Sequence, residues 1–176
     1  MKSYIIFGQD NSKYAYENNA VSKCPDCGLI DRHNSARCTF TSLPFDVSCT
    51  FDNELLVSER IAQILIYLGH SSDMKQAGSY YYIMPNSQVG FDAKRRGTRY
   101  GATCSKCGTP EFVVGITPAF LSEGVTKSGI YRTDICFGDK NDYVPTLVPA
   151  HIITEDILNV LLEARPSGFD YQEVKE

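Results

Sequence analysis

Cys24-Pro25-Asp26-Cys27-Gly28 and Cys104-Ser105-Lys106-Cys107-Gly108 are two copies of one short pattern. In each, two residues separate a pair of thiols and a glycine follows. That gap lets both thiolates of one tight turn face the same ion. The glycine permits the positive φ that commonly follows such a turn. Pro25 and the short polar residues in the gaps suit the turn as well. One pair supplies half of a tetrahedron, so Cys24, Cys27, Cys104 and Cys107 together supply a whole four-sulfur set for Zn2+. Residues 28–103 lie between the pairs, against the roughly 15–20 residues of a zinc ribbon. The expected site is therefore a structural clamp joining distant parts of one chain. Closing a long loop costs little more entropy than closing a short one.

Three other readings of the cysteines stay open at this point. The pairs could be disulfides or redox centres, although neither sits in a βαβ pattern of thioredoxin type. Cys24, Cys27, His33 and Cys38 could form a local site like a zinc knuckle, which would leave the second pair unexplained. A catalytic zinc would need an open position, and such sites usually take His or carboxylate ligands. His70 and His151 fall beside a helix end and a helix start, where capping or a solvent-facing role is expected. Cys49 and Cys136 fall in strand patterns and read as small buried hydrophobes. The state of Cys38 is open.

The chain has 176 residues, seven cysteines and a net charge of −4. The length fits a single domain over residues 1–176, large enough to bury its own core. Seven cysteines are too few for a disulfide scaffold, and an odd number cannot pair fully within one chain. No apolar run reaches the ~20 residues of a membrane helix. The opening Met1–Gly8 segment is too short for a signal peptide, so a cytoplasmic protein is expected. A pI of about 5.4 argues against binding nucleic acid with the whole surface.

The periodicities predict an α+β fold, mainly an antiparallel sheet with two amphipathic helices. Ser3–Phe7 reads as a first or edge strand, and residues 14–19 are ambiguous. Alternation of Phe45, Val47, Cys49 and Phe51 reads as a half-buried strand. Ser58 reads as an N-cap with Glu59 in the first turn, and Ile61, Ile64, Leu65 and Leu68 follow at helical spacing, giving a helix over 59–68 closed by Gly69. Further strands are expected at 79–84, 111–116, 130–137 and 144–148. Thr154 reads as the N-cap of a helix over 155–164, followed by an edge strand near 169–174. Residues 56–65 can be laid over 152–161 with agreement in residue class. Two related β-plus-helix units, halves 1–90 and 91–176, would then each contribute one cysteine pair; two helices sharing capping chemistry by necessity is the plainer alternative.

Charge is uneven. Lys94, Arg95, Arg96 and Arg99, with Lys106, make a basic stretch that reads as a solvated loop or a phosphate contact. From Asp134 onward acids dominate. Asp134, Asp139, Asp142, Glu155 and Asp156 are the candidate surface for a basic protein partner. The chain contains no G-x-S-x-G, H-E-x-x-H, Walker or Rossmann pattern, and the expected function is not enzymatic.

The arrangement resembles a bacterial family named for its double CxxCG motif, found in polymorphic toxin loci, whose members are immunity proteins. The resemblance rests on residues 24–28, on Arg96-Gly97-Thr98 with Cys104–Gly108, and on Tyr131-Arg132-Thr133-Asp134-Ile135-Cys136-Phe137-Gly138. It also rests on the closing segment 147–174. It implies a cytoplasmic protein that binds and neutralises a cognate toxin protein. The runner-up is a zinc-containing nucleic-acid-binding or regulatory protein using the basic loop 94–99.

Overall fold

A computed structural model describes residues 1–16 and 21–175. Residues 17–19 of the ambiguous polar stretch, and Glu176, lie outside the described residues. The strands are β1 (Ser3–Asp10), β2 (Val47–Cys49), β3 (Leu55–Ser58), β4 (Met74–Ala77), β5 (Tyr80–Ile83), β6 (Gln88–Val89), β7 (Arg99–Tyr100), β8 (Phe112–Val114), β9 (Ile130–Asp139), β10 (Leu147–Thr154) and β11 (Phe169–Glu173). The α-helices are α1 (Glu59–Tyr67), α2 (Ala93–Arg96) and α3 (Glu155–Ala164). The fold is α+β, as the periodicities predict. One mixed, mostly antiparallel sheet runs β4-β5-β3-β2-β1-β10-β9-β8-β7, with β11 added on β1 and β6 on β9. The pairs β1–β2 and β6–β9 are parallel.

The alternation of side chains sorts the core into two sides. Tyr4 and Ile6 of β1, Leu55 and Val57 of β3, and Ile153 of β10 pack with Ile61 and Leu65 of α1 and Ile157, Leu158 and Leu161 of α3. Both long helices therefore cover one face. Ile5 and Ile152 instead join Leu29, Phe91, Val113, Phe137 and Leu147 on the other face. Leu56 joins Phe40, Tyr82 and Ile30 there in a further cluster. The second face is thus covered by the loops that follow the cysteine pairs. Burying each such Ile or Leu contributes about 1.5–3 kcal/mol.

The structure differs from the sequence expectation in two details. The first strand is not at an edge: Ser3–Ile6 pair with β10, and Tyr4–Gly8 pair with β11. Ser58 and Thr154 occupy the N-cap positions but make no side-chain cap bond. The Ser58 hydroxyl donates to Asp46 at 2.8 Å, and Thr154 Oγ1 accepts from Gly129 N–H at 3.0 Å. Their hydroxyls tie each helix start to a neighbouring loop instead.

Two four-strand antiparallel ladders share one connectivity. In β4-β5-β3-β2, the β2–β3 pair runs into α1, and β4 then lies beyond β5. In β11-β1-β10-β9, the β9–β10 pair runs into α3, and β11 then lies beyond β1. Here β1, from the chain start, takes the place β5 holds in the first ladder. Isolated parallel bridges fall at matching places, Phe40 with Gly78 and Phe120 with Lys175.

β10 is buried along its whole length, which is why its sequence shows no alternation. Pro149 sits beside an irregularity in the β9 pairing, a place a central strand tolerates proline. The Thr133 hydroxyl repairs the ladder there, accepting from Ala150 N–H at 2.9 Å and donating to Ile135 O at 2.6 Å. His151 is not at a helix start. It is 5% exposed within β10, and its Nε2 donates to Ile83 O at 3.1 Å, joining the two ladders. Burial pushes its imidazole down to about 4. The unfolded chain binds a proton near pH 6.5 that the native state refuses until about pH 4. This stabilising contribution is full above pH 6.5 and is lost as pH falls towards 4. His151→Gln keeps a donor for Ile83 O and removes the titration. Urea unfolding should show the native protein losing roughly 2 kcal/mol more than His151→Gln between pH 7 and pH 5; equal losses would refute the assignment.

Candidate metal centre

Each cysteine pair sits in a turn of the same geometry. In the first, Cys24 N–H donates to Leu29 O at 2.8 Å and Gly28 N–H to Cys24 O at 2.9 Å. In the second, Cys104 N–H donates to Thr109 O at 3.0 Å and Gly108 N–H to Cys104 O at 2.9 Å. An antiparallel bridge closes each turn, Lys23 with Ile30 and Thr103 with Pro110. Gly28 at φ 76° and Gly108 at φ 71° are left-handed, a conformation a Cβ would penalise.

The two turns meet. Cys24 Sγ lies 3.9 Å from Cys104 Sγ, and Cys27 Sγ lies 3.6 Å from Cys107 Sγ. All four sulfurs lie within 4.8 Å of one another. A tetrahedron with Zn–S near 2.3 Å has edges of about 3.8 Å. The donor set and its spacing can therefore hold a metal ion such as Zn2+, and the cluster bridges two distant regions of the chain. These separations far exceed the ~2.05 Å of a disulfide, and all seven cysteines are free. Hydrogen bonds from Thr109 hold the Cys107 thiol down to about 6, whereas burial pushes Cys27 up to about 12.

The local alternative is not assembled. His33 is exposed in a loop, and Cys38 packs beside the cluster of Tyr82 and Phe40. Among the described residues, these four cysteines are the one group of three or more potential ligands close enough to share an ion. His70 pairs with Asp73 at 3.0 Å. Burial raises the thiol pKa of both Cys49 and Cys136, Cys49 to about 12.

Both turns are braced by the β9–β10 hairpin. Ile30 N–H donates to Pro145 O at 2.9 Å, and Lys140 N–H to Glu111 O at 2.8 Å. Lys140 also forms an ion pair with Glu111. A charged network, unread in the sequence, holds the loop after the first turn. Glu54 is fully buried and accepts from Arg32 Nε at 2.7 Å and Nη2 at 2.9 Å, from Arg37 at 3.4 Å and from the Tyr16 hydroxyl at 2.5 Å. Burial alone would raise the Glu54 carboxyl; the Arg32 charge and its bonds outweigh that and hold it down to about 2.

The basic stretch is partly turned inward. Residues 93–96 form the short helix α2, capped by Asp92, whose side chain accepts from Arg95 N–H at 2.9 Å. The Arg95 guanidinium lies 4.6 Å over the Phe120 ring. Arg96 Nε is buried without a hydrogen bond. Lys94, Arg95 and Arg99 are exposed. The five candidate acids do not form one surface. Asp139 and Asp142 precede β10 and Glu155 and Asp156 follow it, which places them about 25 Å apart along an eight-residue strand. Asp134 accepts from Phe91 N–H at 2.8 Å, and Asp156 accepts from the Ser128 hydroxyl.

Neither a family model nor a curated protein sequence matches the chain. Among the described residues, no helix is long and apolar enough to cross a membrane.

Cys104→Ser leaves three thiolates and should weaken metal binding in step with folding, because a site absent from the unfolded chain couples the two. Zinc-loaded protein should lose several kcal/mol in urea unfolding, a large part of the ~10 kcal/mol that structural zinc supplies. Cys38→Ser should change little. Equal stability of the two variants would argue against the four-cysteine site.

Proposed function

We propose that the chain is an immunity protein: it binds a cognate antibacterial toxin and neutralises it, and its four-cysteine cluster holds one structural Zn2+. The observation that carries the reading is the meeting of the two CxxCG turns. They are the motif by which the sequence resembles the double-CxxCG immunity family. Their convergence gives that motif one physical purpose, to fix two parts of the chain against each other. Four thiolates close a zinc coordination sphere and leave no position for substrate, so the metal's role is to hold shape. The chemistry of recognition then falls to the protein surface. A net charge of −4 favours a basic partner through steering, since opposite charge speeds encounter. Toxins that cut nucleic acid are commonly basic, and a partner of that kind fits the charge.

The nucleic-acid reading is the weaker of the two. Arg96 Nε is buried and the Arg95 guanidinium, although exposed, lies over the Phe120 ring, so part of the stretch is engaged by the protein itself.

The test is co-expression in a bacterial host of this chain with the C-terminal toxin domain encoded beside its gene. Colony recovery should rise at least about a hundredfold over an empty vector, and the two proteins should co-purify. Unchanged killing would contradict the reading. Salt-sensitive DNA or RNA binding, lost in a Lys94→Ala and Arg99→Ala double variant, would favour the alternative.

A further inference from the structure

Three aromatic rings from three separate loops meet at the surface. Tyr14 lies 5.1 Å from Phe51 and 5.4 Å from Tyr143, centroid to centroid. Exposure is high for such rings: 84% at Tyr143 and 47% at Phe51. Large apolar groups in contact with each other and open to water are unusual on a surface without a partner.

The loops that carry them are locked. Asp52, 2% exposed, accepts from Ala15 N–H at 2.9 Å and Tyr16 N–H at 3.0 Å. Its main-chain carbonyl accepts from the Thr146 hydroxyl at 3.0 Å. Phe51 N–H donates to Lys13 O at 2.8 Å. One buried residue thus fixes the loop of Tyr14, its own loop beside Phe51, and the end of the β9–β10 turn that carries Tyr143. Rings held in place before binding lose little entropy when a partner arrives.

The charge around the rings is mainly negative. Asp142 is in the turn that carries Tyr143, Asp139 ends β9 where that turn begins, and Asp10 ends β1 just ahead of the loop of Tyr14. Lys13, also on that loop, offsets part of this, while Lys140 is paired with Glu111. Asp139 accepts from Asn141 N–H and its side-chain amide at 2.8 and 2.9 Å, which shapes the turn.

We infer that Tyr14, Phe51 and Tyr143, with Asp139 and Asp142, form the docking surface for a basic protein. A lysine or arginine of the partner stacks on the rings while the acids supply the counter-charge. Aromatic anchors and arginine dominate the energy of protein interfaces, and a cation over a tyrosine face is attracted by the ring. This assignment rests on the toxin-binding reading and names the part of the surface that carries it. Of the five acids singled out in the sequence, it selects the two at the hairpin end and sets aside Asp134, which accepts from Phe91 N–H, and Glu155 and Asp156 at the far end of β10.

The experiment measures binding of the full zinc-loaded chain to the purified toxin domain used for co-expression, by interferometry at two salt concentrations. A Tyr143→Ala and Phe51→Ala double variant should weaken Kd at least about a hundredfold. An Asp139→Asn and Asp142→Asn double variant should slow association about fivefold at low salt and flatten its salt dependence. Tyr67→Ala, at another exposed tyrosine (91%) at the end of α1, should stay within twofold of wild type. Circular dichroism and zinc content show that each variant is folded. Tight binding by wild type with a double aromatic variant within threefold of it would overturn the docking surface alone. Failure of wild type to bind would overturn the toxin reading and this surface with it.

Discussion

Four sulfur atoms within 4.8 Å of one another join two turns that lie 80 positions apart in sequence. The residues after the first turn, Leu29 and Ile30, pack into the clusters on the second face of the sheet. Four thiolates so close would repel strongly without a divalent cation between them, and thiols alone make only weak hydrogen bonds. The backbone nevertheless holds both turns in the geometry that aims their sulfurs at one point. Gly28 and Gly108 close the turns, and the β9–β10 hairpin braces both, through Pro145 and Lys140. The cluster is therefore a joint between two prebuilt pieces, and a metal there would tie the loops over the second face to one another.

The symmetry of the ladders explains where the joint lies. β2–β3–α1 and β9–β10–α3 flank β1, with both helices on one face. The segment before each ladder crosses the other face and carries one cysteine turn. Corresponding residues then meet across the boundary, Cys24 with Cys104 and Cys27 with Cys107. The Phe40 and Phe120 bridges repeat the same spacing from the first cysteine of each turn. On the helix-covered face the ladders share one apolar cluster. The bond from His151 to Ile83 O and the cysteine cluster supply further links.

Much of this architecture was legible locally. The 3.6-residue spacing of Ile61, Ile64 and Leu65, and of Ile157, Leu158 and Leu161, placed α1 and α3 to within a residue. The cysteine spacing named the four sulfurs. What was not legible depended on distant partners. Ser3–Phe7 looks like any first strand, and only its pairing with both β10 and β11 makes it central. Strands of two residues, such as β6 and β7, carry no periodicity to read. Ser58 and Thr154 had the composition of caps, but loop neighbours claimed their hydroxyls. His151 looked like a residue beside a helix because β10 has no alternation to reveal its burial. Nothing in the sequence near Glu54 signals that Arg32 and Arg37 close around it. The five acids looked like one surface because sequence proximity does not show that a buried strand separates them.

The ring cluster is fixed by Asp52, the loop after the first cysteine turn by Glu54, and both acids belong to the short connection between β2 and β3. The central claim is that both turns serve one ion. X-ray absorption at the zinc edge on purified protein, with metal content measured on the same sample, tests it most directly. About one zinc per chain with four sulfur neighbours near 2.3 Å is expected. Nitrogen or oxygen in the coordination sphere, or a metal content far below one per chain with the cysteines reduced, would contradict it.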